Sequence, residues 1–198
     1  MKDWEKDLPP IAKERLARIG QPTQEEKEAL VNSEKADALL SEFYQARLDA
    51  EGLWKKLKEE NSPSLLKQVQ TKLVDSLGLG TSSAELERRK KGILAVETLK
   101  KERNTSAVEL TLNMMQKLQM SYQREIQETY DGVRAEVERN PRLRLKQVQQ
   151  GENTMVIQLT VDEAIKQLPQ WKEFLANQEK IYTQEFAKLR EKLRKELR

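Results

Sequence analysis

Reactive groups are unevenly supplied in this 198-residue chain, which holds 36 Lys and Arg, 33 Asp and Glu, and neither histidine nor cysteine. Without His and Cys, the Ser-His and Cys-His nucleophile pairs, the commonest general base and the usual zinc, copper and haem ligands are all missing. What remains is carboxylate chemistry. Glu125 with Glu128, and Glu136 with Glu138, are spaced so that they could hold magnesium or divide acid and base roles. Both pairs lie in stretches dense with alternating charge, where such spacings also arise as i,i+4 contacts with Lys or Arg. The ExxH element of carboxylate-bridged metal bundles cannot occur here. The expectation is therefore a protein that is not an enzyme, with no catalytic, metal or cofactor-binding residues to name and no cofactor.

Three other patterns concern phosphate. Gly78-x-Gly80-Thr-Ser-Ser precedes a helix as a phosphate-cradling loop would, but no strand leads into it and no Lys stands where such a loop needs one. A helix end plus a linker accounts for both glycines. Arg88-Arg-Lys-Lys91 is the longest basic run; four consecutive residues point all round a helix, which reads as a solvated patch. Arg142, Arg144 and Lys146 alternate along an extended stretch with no acid among them, as cations meeting successive phosphates would. Charges on an exposed strand also guard against edge aggregation, and no aromatic is interleaved for base stacking. Arg142, Arg144, Lys146, Arg88 and Arg89 are the phosphate-contact candidates.

The elements that would position these groups are mostly helical. Charged residues make up 35% and aromatics 5%, with only 7 Gly and 6 Pro, the signature of long helices that each bury one stripe. Residues 10–19 read as a short helix ending at Gly20 and Pro22. Thr23 and Glu26 spell a capping box, opening a helix that runs to about Glu60. Along it Ala36, Leu39, Phe43, Ala46, Ala50, Leu53 and Leu57 alternate steps of three and four, a heptad seam for a partner helix. Leu39, Phe43 and Leu53 are its partner-binding candidates. Asn61-Ser-Pro-Ser64 breaks the helix and restarts it, with Ser62 as cap and Pro63 in the first turn. Leu66, Val69, Leu73 and Leu77 then share a face, and residues 78–83 mark a boundary between an N-terminal helical segment, 1–80, and a second part, 81–198.

In that second part Ser82 and Glu85 cap a helix over about 84–139. A further Ser106/Glu109 box leaves open whether it breaks near Asn104, and Asn140-Pro141 ends it. Residues 142–160, RLRLKQVQQGENTMVIQLT, switch to a period of two. They predict a β-hairpin turning at Gly151-Glu-Asn153. Met155, Ile157, Leu159 and Val161 share one face of its second strand. The first strand sets Leu143 and Leu145 against the cations Arg142, Arg144 and Lys146. Met155, Ile157 and Leu159 are partner-binding candidates, because a lone hairpin is marginal in water and its apolar face must rest on something. Thr160 and Glu163 cap a short helix, Pro169 kinks or restarts it, and a last helix follows.

The helices on either side of the hairpin share a spacing of eleven: Met115, Ile126 and Val137, with Tyr122 and Val133, before it; Leu175, Phe186 and Leu197, with Trp171, Tyr182 and Leu193, after it. Eleven residues in three turns is close to an undistorted helix, so the two stripes predict an antiparallel pair. The basic, leucine-bearing tail 188–198 continues that stripe. Trp4, Trp54 and Trp171 read as structural.

The fold expected is thus mainly α: long amphipathic, coiled-coil-like helices with one β-hairpin, about 142–160, connecting an antiparallel helix pair. The function expected is a non-catalytic scaffold, adaptor or chaperone-like protein, binding a protein partner or itself as a homo-oligomer. Residues 1–80 hold 13 basic and 15 acidic groups and residues 81–198 hold 23 and 18. The basic second half therefore keeps a nucleic-acid- or ribosome-associated protein as the alternative, and an enzyme with an acidic site as the second. The opening MKDWEKDLPP lacks a secretory signal's apolar centre, and no run of apolar residues is long enough to span a membrane, so a cytoplasmic location is expected.

Overall fold

The structure, a computed structural model, describes Pro9 and residues 23–150 and 153–197. The helix expected over 10–19, Trp4 and the tip of the turn at Gly151 and Glu152 lie outside the described residues. Seven α-helices and one two-stranded antiparallel sheet make up the described fold: α1 Gln24–Tyr44, α2 Ala50–Glu60, α3 Pro63–Asp75, α4 Ser83–Glu97, α5 Thr105–Arg139, a 3₁₀ turn Pro141–Arg144, β1 Leu145–Gln150, β2 Asn153–Gln158, α6 Val161–Gln167 and α7 Pro169–Glu196. The protein is mainly α with a single hairpin, as its periodicities predict.

Local chemistry sets most boundaries. Three capping boxes form: in each, a Thr or Ser oxygen accepts from the backbone N–H three residues on, and the Glu there accepts from the cap's own N–H. They are Thr23 with Glu26, Ser82 with Glu85, and Thr160 with Glu163. Ser62 accepts from the Leu65 N–H at 3.3 Å, ahead of α3 and its initial Pro63. The fourth box, Ser106 with Glu109, does not form. Asn104 begins α5 without a side-chain cap, and its N–H donates instead to Glu97 at 2.8 Å. That settles the break: α4 and α5 are separate helices.

The expected helix from Thr23 to Glu60 is two helices. At its end α1 closes in a Schellman arrangement: the Arg47 N–H donates to the Glu42 carbonyl and the Ala46 N–H to the Phe43 carbonyl. Ala46 takes φ 58°, the left-handed conformation that glycine normally supplies there. Asp49 then restarts the chain, accepting from the Gly52 N–H at 2.7 Å. The heptad stepping across this break is real in the sequence, but its two halves lie on different helices. α1 packs on α3 and α2 on α4.

Two cores result. The larger gathers Ala36, Leu40 and Phe43 of α1, Leu53 and Leu57 of α2, Leu65, Val69 and Leu73 of α3, Leu86, Ile93 and Val96 of α4, the first turns of α5 and the last turns of α7. It therefore draws on both sides of residues 78–83. Phe43 sits so close to Gly92 that a Cβ there would lie 2.7 Å from its ring, which is why α4 has glycine at that position. The smaller core holds Val137, Ala164, Ile165 and Trp171, flanked by Ile126, Tyr130, Val133 and Phe174. Tyr130 and Phe174 contact the Trp171 ring at centroid distances of 5.7 and 5.5 Å. α5 and α7 run antiparallel through both cores, with Met115, Phe186 and Leu193 at one end and Val137 with Trp171 at the other. The eleven-residue stripes are the surfaces by which they pack. Leu189, Leu193 and Leu197 of the basic tail join the larger core.

A buried polar node locks the end of the molecule far from the hairpin. Glu97 is fully buried. Its carboxylate accepts from Gln70 of α3 at 2.8 Å, Lys100 at 3.2 Å and the Asn104 N–H, while Lys100 also donates to the Leu197 carbonyl at 2.6 Å. One carboxylate thereby joins α3, α4, the start of α5 and the end of α7, with each oxygen hydrogen-bonded.

Candidate functional site

The hairpin grows out of the smaller core. Leu143 and Leu159 are half-buried against that core and clasp its base: the Leu159 N–H donates to the Arg144 carbonyl at 2.7 Å, and the Arg144 Nε returns a bond to the Leu159 carbonyl at 2.9 Å. Leu159 is thus an anchor of the hairpin and not part of its outer face. Beyond it the strands pair Leu145 with Gln158, Lys146 with Ile157, Gln147 with Val156 and Val148 with Met155.

Directly opposed residues share a face of an antiparallel sheet, so this register redistributes the expected faces. Val148, Met155 and Ile157 lie together, with Lys146 beside them. Leu145 and Val156 lie on the other face among Gln147, Gln149, Thr154 and Gln158. Leu145 was expected opposite Lys146 and is, but it does not join Met155 and Ile157. Arg142 and Arg144 belong to the 3₁₀ turn and not to the strand, because Pro141 holds the chain in a tight turn for its first residues. The row of three alternating cations therefore does not exist as a strand face.

Neither face is covered. Leu145 is 54% exposed, Val148 36%, Met155 51%, Val156 59% and Ile157 40%, the densest group of exposed large apolar side chains among the described residues. Val148, Val156 and Leu145 are not among the partner-binding candidates, because alternation within each strand assigns faces without the pairing between strands. Counting pairs outward from a two-residue turn at 151–152 would have found them.

The other candidates are engaged within the chain. Phe43 and Leu53 are fully buried in the larger core and Leu39 is half-buried against it, so the seam they form is filled by this chain's own helices and not by a partner. Arg88 donates to the Tyr44 carbonyl at 3.2 Å, at the end of α1. Arg89 donates to the Ser76 carbonyl at the end of α3 and stacks over the Tyr44 ring, 5.3 Å from its centroid. Both cations serve the negative ends of neighbouring helices, and this half-buried pair is not the solvated patch its sequence suggests. Arg144 holds the hairpin base; Arg142 and Lys146 are exposed.

The acidic pairs do not converge. Glu125 accepts a hydrogen bond from the Tyr182 hydroxyl at 2.6 Å, and Glu138 pairs with Arg134 at 3.0 Å on the surface. That bond to Glu125, with burial and the carboxylate's charge adding to it, pushes the Tyr182 hydroxyl up to about 12. No cluster of three or more metal-ligating side chains occurs among the described residues. The 78–81 segment is a pinned connection: the Gly78 N–H donates to Thr81 Oγ1 at 3.2 Å, and buried Gln119 donates to the Leu79 and Thr81 carbonyls. Beside it lies a cleft of about 260 Å³ lined by Tyr122, Glu179, Thr183, Phe186 and Arg190. No helix among the described residues is long and apolar enough to cross a membrane.

Residues 51–195 match a protein family of unknown function, DUF6657. No curated protein and no solved structure matches the chain. The matched span contains the hairpin, α5, all but the last residue of α7, and Glu97 with its partners Gln70, Lys100 and Asn104, and leaves out α1.

Proposed function

We propose that this chain, which belongs to the DUF6657 family, is a non-catalytic interaction protein of the scaffold or adaptor kind, working in the cytoplasm and presenting its β-hairpin to a protein partner at the end of a helical stalk. The observation that carries the reading is the hairpin itself: five large apolar side chains lie exposed on a ribbon of two six-residue strands. Elsewhere among the described residues the exposed large apolar side chains are spread over three helices, Leu30 and Val31 on α1, Leu110, Met114 and Met120 on α5 and Ile181 on α7. An isolated hairpin is marginal in water, and contiguous exposed apolar surface on an otherwise well-packed protein marks a place of contact. The stalk supports the same reading. α5 and α7 are held at one end by the Glu97 node and at the other by the Trp171 core, so the hairpin is carried on a fixed base.

The test is site-specific photo-crosslinking in the full-length protein inside the producing cell. A photoreactive residue at Met155 should give a discrete crosslinked protein species, identified by mass spectrometry. The same residue at exposed Lys58, on α2 at the other core, should not. The reading fails if Met155 crosslinks no more than Lys58.

A further inference from the structure

The two strands of the hairpin have different outer edges. Pairs in an antiparallel ladder alternate between those that exchange backbone hydrogen bonds and those that do not. The bond from Leu159 N–H to the Arg144 carbonyl sets the phase. Counting from it, Lys146, Val148, Met155 and Ile157 bond inward. The N–H and C=O groups of Gln147 and Gln149 on β1, and of Thr154, Val156 and Gln158 on β2, point outward. No hydrogen bond within the described chain reaches those outward groups. Lys146 sits on β1, with Arg144 just before it, whereas β2, NTMVIQ, has no charged residue at all. Charge, proline and bulges are the ordinary guards of an edge strand, and β2 has none of them.

Resting on the hairpin reading above, we infer that the partner is a second copy of this chain, joined through β2 to β2 in an antiparallel two-fold pairing centred on Val156, so that two hairpins form one four-stranded sheet. The choice of a second copy follows from the charge and the arithmetic of the register. An uncharged edge gives an acidic or basic strand nothing to pair with, while an identical uncharged strand meets it without repulsion. A two-fold axis at Val156 places Val156 opposite Val156 and Thr154 opposite Gln158, which are the residues whose backbone groups point outward. It also sets Met155 opposite Ile157 of the other copy. The apolar trio Val148, Met155 and Ile157 then continues without interruption across both hairpins. Such an interface is isologous and closes after two copies. Pairing two six-residue strands buries less than the roughly 1,200 Å² of a standard interface, so the dimer is weak and its population depends on concentration.

The experiment is sedimentation velocity on the full chain across a concentration series up to its solubility limit. The wild type should pass from monomer to dimer. Val156→Lys and Val156→Glu should each lose the dimer, because like charges then face one another across the axis. An equimolar mixture of the two should restore it, since Lys then opposes Glu. Val156→Pro removes an N–H that the hairpin itself does not use, and should also lose the dimer; Gln147→Pro does the same on β1 and should leave it intact. Circular dichroism of each variant should match the wild type. The inference is overturned if the wild type stays monomeric throughout, if the Val156 variants still dimerise, or if the Lys and Glu mixture fails to recover the dimer. Crosslinking from Met155 to a different protein, with a monomeric wild type, overturns the second copy and leaves the hairpin reading standing. No crosslinking from Met155 removes both.

Discussion

The Glu97 end of the molecule and the hairpin end use polar and apolar groups in opposite ways. At the first, a charged carboxylate is buried completely and every group around it is hydrogen-bonded. At the second, valine, isoleucine, leucine and methionine stand in water. Each arrangement carries an energetic cost by itself. The buried charge is compensated inside the chain, by Gln70, Lys100 and the Asn104 N–H, so its effect is to fix four segments against one another. The exposed apolar residues have no compensation inside the chain, so they contribute little to folding and remain available for contact. The difference separates what holds this protein together from what it offers.

That contrast can be broken in order of expected effect. Glu97→Ala leaves Gln70, Lys100 and an amide N–H without their acceptor and should destabilise by about 3–5 kcal/mol in urea unfolding. A loss below 1 kcal/mol would mean the node holds nothing. Gly92→Ala pushes a methyl into the Phe43 ring and should destabilise by about 1–3 kcal/mol; an unchanged midpoint would show that α1 yields at no cost. Tyr182→Phe should cost about 1 kcal/mol near neutral pH, through loss of the bond to Glu125. The hydroxyl is raised above its ordinary value of 10.0, to about 12, in the folded protein. Its proton is therefore held more tightly folded than unfolded. The advantage of tyrosine over phenylalanine should be complete below pH 10, shrink as pH rises from 10 towards 12, and vanish above. A gap that is constant across that window would discount the Glu125 bond. The smallest effect belongs to the tip: Met155→Ser with Ile157→Ser should change global stability by less than about 0.5 kcal/mol. A larger loss would show that the hairpin is part of the core after all.

Much of this was legible in the residues, and the failures share a cause. Three capping boxes and the Ser62-Pro63 restart rest on interactions within one turn of helix, and the eleven-residue stripes on the period of the helix itself, so each is visible along the chain. The α1–α2 break was missed although Asp49 is a good cap, because the apolar steps of three and four pass through Ala46 and Ala50 without interruption. Periodicity reports which residues face one side of a helix; it does not report that the helix continues. Arg88 and Arg89 looked solvated because the carbonyls they serve, at Tyr44 and Ser76, belong to other helices. Glu97 gave no signal at all, being one acid in a chain with many.

The sequence alone decides that this protein is helical, that one hairpin interrupts it and where α1, α3, α4 and α6 begin, since those outcomes depend on neighbours three or four positions away and on a switch of period from helix to strand. Only the tertiary structure decides what each surface is for. Phe43 and Val156 both look like residues that want to be covered. Phe43 is covered by Gly92 of α4, nearly fifty positions along the chain, whereas Val156 faces only Gln147 across the hairpin and stays more than half exposed. Burial is a property of where distant segments meet, and a pattern read along one strand or helix contains no term for it.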